Sequence, residues 1–257
     1  MCLVGVAWRG HPDFPLIVVG NRDELHERPS APAGWWTDCD GVYGGRDLLA
    51  GGSWLAIHRS GRLAVVTNYP HAGGTLKPET SRGHLVGDFV RGTDRSDAYL
   101  EAVVARGHRY AGFCLILASA DGVRAMTSPA RRAAAHWPLV PGTFTVSNSP
   151  LDQPWPKAQF LDAALQNVLL DGDITTETFF DLLAYRGPTG AESSGPELAR
   201  TPFVTGAEYG TRASTVVIVN RAGQCDFAER RFDINGEVAG ESRVSFEIDR
   251  YIDPGPG

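Results

Sequence analysis

Lysine is almost missing from this chain: Lys77 and Lys157 are the only two among 24 basic side chains. The arginine bias reads first as genome composition. No basic run occurs and the net charge is −6, which excludes the clustered cationic footprint that nucleic-acid binding needs. Long apolar runs are missing as well. Val216-Val217-Ile218-Val219 is strand-length, far short of the ~20 residues of a membrane-crossing helix. No charged-then-apolar leader is found, because strand-like alternation starts at residue 2. A cytoplasmic protein without a membrane span is expected. Cysteine is scarce, and Cys2, Cys39, Cys114 and Cys225 form no CxxC pair, zinc spacing or CxxCH haem attachment. Free thiols in a reducing compartment follow. There is no repeat, low-complexity tract or linker, so the expectation is one domain over residues 1–257.

What is present is short strands and a few helical stretches. Residues 2–8 and 16–20 make a hairpin about His11-Pro12-Asp13, and 53–58 with 63–69 make a second. Between them, 28–52 is a connection rich in Gly, Pro and Trp. Helical spacing marks 83–107, 156–170 and 177–185. Strands are expected at 112–118, 122–127 and 143–147, with a last hairpin at 213–220 and 224–232, an edge strand at 244–248 and a long loop at 186–210. This order predicts an α+β fold in which antiparallel sheets stack and helices cover their outsides.

The first hairpin places chemistry together. With its turn on Pro12, antiparallel partners sum to 24, so Cys2 faces Arg22 within Asn21-Arg22-Asp23-Glu24. Removal of Met1 would leave a thiol and a free α-amine on Cys2. The thiolate is the reactive form, and an α-amine titrating near 7.7–8.0 can serve as base to its own side chain. Taken singly, Cys2 is an ordinary small second residue and the polar run an ordinary strand end; their juxtaposition points to a nucleophile site. Asn68-Tyr69-Pro70 and Ser147-Asn148-Ser149-Pro150 each close a strand. An Asn before Pro is a routine turn former, and its amide can also stabilise an oxyanion.

Other stretches carry less. Asp23, Glu24, His26 and Glu27 lack a metal-ligand spacing, so no metal is expected. Gly44-Gly45 and Gly51-Gly52 flank Arg46-Asp47 without a following GK[ST], which favours close backbone packing over a phosphate cradle. Trp54 reads first as core, while Trp35 and Trp36 are candidates to wall an apolar pocket. His71, Ser81 and Arg82 are candidates for the same mouth.

The chain resembles the NRDE, or transport and Golgi organisation, family. The shared pieces are MCLVGVAW at 1–8, GNRDE at 20–24, Arg28-Pro29, GGRDLLAGGSWLA at 44–56, TNYP at 67–70, SRG at 81–83, SNSP at 147–150 and YGTRAST at 209–215. That family in turn looks like the cholylglycine hydrolase and penicillin V acylase branch of the N-terminal nucleophile hydrolases. The resemblance implies a four-layer αββα sandwich and cleavage of linear C–N amide bonds. It implies Cys2 as nucleophile, Asp23 as its Asp, Asn68 and Asn148 as the two assisting Asn residues, and Arg212 as the late Arg. In the hydrolases an Arg stands three residues before the Asp, whereas Arg22 is adjacent to Asp23. If Asp23 faces Cys2, Arg22 turns away and Asn21 shares the Asp23 side.

The expected activity is hydrolysis or acyl transfer on a small amide or thioester, with no cofactor. Asn21, Arg22, Trp35, Trp36, Trp54, His71, Ser81 and Arg82 are the substrate-binding candidates. The alternative is a non-catalytic carrier of haem or an acyl-CoA-like lipid, since members of the family have been linked to haem trafficking and lipid metabolism. Oligomeric state is left open by the sequence.

Overall fold

The computed structural model describes residues 2–69, 78–129, 134–187 and 200–249. In chain order the first elements are β1 (Cys2–Trp8), β2 (Leu16–Leu25), β3 (Ser30–Trp35), β4 (Val42–Asp47), β5 (Leu55–His58) and β6 (Leu63–Asn68). Then come α1 (Gly83–Arg91), α2 (Ser96–Arg106), β7 (Phe113–Ser119), β8 (Gly122–Ser128), β9 (Ala135–Pro138) and β10 (Gly142–Val146). The last are α3 (Pro156–Asp171), α4 (Thr176–Leu183), β11 (Tyr209–Val219), β12 (Gln224–Phe232) and β13 (Val238–Glu247). The fold class is α+β with two antiparallel sheets, as the sequence predicts.

The chain divides into two compact units. The first, residues 1–28 and 141–246, holds a six-stranded sheet in the order β10-β1-β2-β11-β12-β13. Its helices cover one face: Leu161, Leu165 and Val168 of α3 and Phe179, Phe180 and Leu183 of α4 pack on Leu3, Ala7, Ile17, Val19, Val216 and Ile218. Each fully buried Leu, Ile, Val or Phe among these contributes about 1.5–3 kcal/mol by leaving water. Gly5 lets α3 lie close, since a Cβ there would stand 2.5 Å from Leu165 Cδ1. Helix α3 opens on Pro156 at its first turn, where a missing N–H costs nothing. Thr175 caps α4, its hydroxyl accepting from Thr178 N at 3.1 Å.

The second unit, residues 29–140 and 247–257, holds a seven-stranded sheet in the order β3 through β9. Strand β7, FCLILAS, is buried along its whole length, in keeping with its unbroken apolar run. Leu85, Val86, Phe89 and Val90 of α1 pack with Leu100 and Val103 of α2 over Leu115 and Leu117.

Several stretches differ from expectation. Strand β2 runs on to Leu25 instead of ending at Gly20, because β11 pairs with it as far as Tyr209↔Leu25. The connection over 28–52 contains two strands, β3 and β4, whose Gly-rich pairing (Gly34↔Gly44) hides the usual alternation of large side chains. Strand β13 begins at Val238, six residues before the expected edge.

Candidate active site

Cys2 pairs with Arg22, the register the hairpin predicts. In an antiparallel ladder, paired residues share a face and successive residues alternate. Leu3 lies in the cluster beneath α3 and α4 and pairs with Asn21. Asn21 and Asp23 therefore take the helix-covered face, and Cys2 and Arg22 take the other. The hairpin register is met, and it gives the Arg22 side chain the face of the Cys2 thiol and the Asp23 side chain the opposite face, unlike the arrangement in which Asp23 faces the thiol.

The polar run is not an exposed strand end. Asn21, Arg22 and Asp23 are 2%, 6% and 1% exposed, and each is satisfied in its own way. Asn21 donates both amide hydrogens to backbone, to Leu183 O and Pro202 O, each at 2.9 Å. It also accepts from Ser214 Oγ at 2.6 Å. Its amide pins β2 and β11 to the end of α4, and none of those donors is left for a substrate. Arg22 lies 4.0 Å from Glu24, which also faces Arg28 at 3.7 Å.

Asp23 is held by Thr211 Oγ1, which donates to Oδ1 at 2.8 Å, and by Lys157 Nζ, 3.3 Å from Oδ2. Both members of this ion pair have fully buried side chains. Tyr209 adds a hydrogen bond of 2.7 Å to the Asp23 carbonyl. Burial pushes the Tyr209 hydroxyl strongly up, with the neighbouring charges of Asp23 and then Cys2 adding to it. Tyr209 thus stands within electrostatic reach of both residues.

Beyond β1 on the other side lies Asn148. Strand β10 pairs with β1 in the register Val4↔Val146, so the chain past Val146 continues alongside Cys2. The Cys2 backbone nitrogen donates to Asn148 Oδ1 at 2.9 Å. That nitrogen is the one that becomes the α-amine once Met1 is removed. Asn148 is 5% exposed, while the Cys2 thiol is half-buried and free. Cys2 is therefore flanked by Arg22 on β2 and Asn148 past β10.

Arg212 is the extra residue of a bulge between Thr211↔Asp23 and Ala213↔Arg22. Bulges re-aim side chains, and this one sends the Arg212 guanidinium to Leu25 O at 3.0 Å and His26 O at 2.7 Å. Burial draws its pKa down, and the like charge of Arg22 does so next. Arg212 and Arg22 thus sit in each other's field.

The remaining candidates belong to the second unit. Asn68 ends β6 and pairs with Phe113. Trp35 is 39% exposed and meets Tyr43 edge-on at 5.2 Å. Trp36 is a correction: it is buried in the core beneath α1 and α2, its indole N–H donating to Gly44 O at 3.0 Å. Neighbours in extended chain point opposite ways, so one of the pair faces outward and the other inward. Trp54 is half-buried, and Ser81 and Arg82 start α1, with Arg82 Nη1 donating to Gly112 O at 2.9 Å. His71 lies outside the described residues. Among the described residues no group of three or more His, Cys, Asp or Glu is placed to hold a metal, and no helix is long and apolar enough to cross a membrane.

Lys157, Thr211, Tyr209 and Ser214 are the residues that sequence reasoning misses. Lys157 had a signal: a lysine kept where the chain otherwise uses arginine suggests a place that requires a compact ammonium. YGTRAST supplies Arg212 to the sequence reading, but three hydroxyls of the same stretch reach Asn21 and Asp23.

A family model described as Transport and Golgi organisation 2 matches residues 1–234. The Transport and Golgi organization 2 homolog of Mus musculus is 31% identical over 261 residues, covering 90% of this chain and 92% of its own. The Homo sapiens homolog matches equally, at 31% over 261 residues. Among solved structures, a Caenorhabditis elegans N-acylethanolamine-hydrolyzing acid amidase ortholog superposes with a TM-score of 0.52 at 11% identity, covering 84% of this chain and 92% of its own. The C2A mutant of a conjugated bile acid hydrolase from Clostridium perfringens gives 0.50 at 10% identity, covering 100% and 99%. At such identities these two likenesses concern the fold.

Proposed function

Because the chain belongs to the Transport and Golgi organisation 2 family, and its fold is that of amide hydrolases, we propose that it is an acyl-transfer enzyme with Cys2 as nucleophile. The substrate class is a small linear amide or thioester. The observation that carries this reading is the hydrogen bond from the Cys2 nitrogen to Asn148 Oδ1 at 2.9 Å. It supports the reading because the nitrogen held there is the one that removal of Met1 would free as a base.

After Met1 removal the neutral α-amine of Cys2 takes the proton of the Cys2 thiol. The sulfur attacks the substrate carbonyl carbon, and the carbonyl π pair moves onto oxygen. Arg22, on the same face, supplies positive charge to the thiolate and the oxyanion. Collapse re-forms the C=O bond and breaks the C–N or C–S bond, and the leaving atom takes the proton from the Cys2 ammonium. An S-acyl Cys2 remains. Water, or an acceptor, gives a proton to the amine and attacks the thioester carbon, releasing the acyl group and returning the thiol. Asn148 orients the amine throughout.

Intact mass of the purified protein should show Met1 absent. Incubation with a panel of N-acyl amides and acyl-CoA thioesters should then add an acyl mass to Cys2 that hydroxylamine removes. The Cys2→Ala variant should gain no such mass and turn over no substrate. Retention of Met1, or turnover that survives Cys2→Ala, would overturn the reading.

A further inference from the structure

Lys157 is one of two lysines in the chain, it is 0% exposed, and its ammonium meets Asp23 in a fully buried pair. Taking two charges out of water is costly, so a fold that merely needed to fill this space would do better with apolar side chains. The pair therefore calls for a use of its charges. Its position supplies one. Cys2 pairs with Arg22, and going backwards along β1 corresponds to going forwards along β2. The nitrogen of Cys2 consequently lies on the Asp23 side of the pair. A bare carboxylate there would hold a freed α-amine as ammonium, the form that cannot accept the thiol proton.

We propose that Lys157 is a positioning residue for acyl transfer: it cancels the charge of Asp23 and so leaves the α-amine of Cys2 neutral and able to act as base near neutral pH. This rests on the reading of Cys2 given above. The other groups about the amine are Asn148 past β10, Arg22 and Glu24 on β2, and Tyr209 and Arg212 on β11, and all of them stay unchanged in the variants below.

The test reads the amine directly and needs no substrate. In a Cys2→Ser protein the amine remains and the competing thiol is gone. Labelling with trace acetic anhydride across pH, followed by mass spectrometry of the N-terminal peptide, gives the midpoint at which the amine becomes neutral. Lys157→Met removes the ammonium beside Asp23 and should raise that midpoint by about one pH unit, the order of shift that one nearby charge gives. Asp23→Asn leaves Lys157 uncompensated and should lower it by a similar amount. The double variant should return it to the parent value. Should Lys157→Met fail to fold, the downward shift in Asp23→Asn decides the question. A purely structural pair gives no opposed shifts, and equal midpoints in processed parent and variants would overturn this inference while leaving acyl transfer standing. Retention of Met1 would overturn both.

Discussion

Asn148 holds the Cys2 nitrogen from a strand end, a position from which one rotamer change breaks the contact. Truncation by Asn148→Ala removes the 2.9 Å acceptor and leaves the amine to wander. A misplacement of about 1 Å costs on the order of 10²-fold in rate, so the rate of Cys2 acylation should fall by roughly that factor while the protein stays folded. The measurement is the acyl mass gained against time, beside a melting curve. At the same scale, Lys157→Met should destabilise the protein by about 3–5 kcal/mol, since it removes one partner of a buried ion pair. Urea unfolding checks this, and the Asp23→Asn/Lys157→Met double variant should recover part of the loss. The hairpin arithmetic makes the Cys2–Arg22 pairing readable from sequence. Which of Arg22 and Asp23 shares the face of Cys2 then follows from pairing itself, and a family motif cannot supply it. Lys157 sits 134 residues from Asp23, and no local pattern announces a contact over that separation.

Among the elements, β2 and the β3–β4 connection teach the same lesson. A strand is recognised from sequence by apolar alternation, so it is lost where its side chains are polar but satisfied from elsewhere, as at Asn21 and Asp23, or where they are glycines. Gly44 and Gly52 of GGRDLLAGG serve close backbone approach, as composition suggests, while Gly51 has open space about it and takes a positive φ of 76°. A Cβ on Gly52 would lie 2.4 Å from the Gly83 carbonyl carbon, and Ser53 N donates to Gly83 O at 3.1 Å. Backbone cannot rotate away as a side chain can, so Gly52→Ala should cost about 1–3 kcal/mol, read as a lowered denaturation midpoint. At the outer edge of the first unit, Glu177 of α4 is bound by Arg243 of β13 and by Arg230 of β12, the latter at 2.9 Å. The Arg243 hydrogen bond first, then that of Arg230, holds the Glu177 carboxyl below its ordinary value of 4.5. A carboxylate depressed in the folded state stabilises above its unfolded pKa, and that contribution is lost as pH falls through the lower folded value. The Arg230→Gln/Arg243→Gln variant should therefore lose less stability than the parent between neutral pH and pH ~3. Hydrogen exchange across Val238–Glu247 should also be faster in the variant at pH 7.

For the molecule as a whole, the order of the chain sets the order in which these sites can form. The second unit's sheet is built from consecutive strands, β3 through β9, inside one continuous stretch of sequence. The first unit closes only when residues 1–28 meet residues 141–246, and β2 pairs with β11 nearly 200 residues later along the chain. Loop-closure entropy must be overcome before such pairings stabilise anything, which makes them slow. This long closure is also what sequence reading handles least well: it finds each hairpin, but the placing of β10 beside β1 and β11 beside β2 lies in no local window. In pulsed hydrogen exchange during refolding, amides of β5 to β8 should gain protection before those of β1, β2 and β11. The Asn148 contact to Cys2 needs β10 paired to β1, so fast alkylation of Cys2 relative to Cys39 should develop only with the later phase. Simultaneous protection of both sheets would mean that the first unit does not wait for its distant strands, and that the strand of Cys2 is set early.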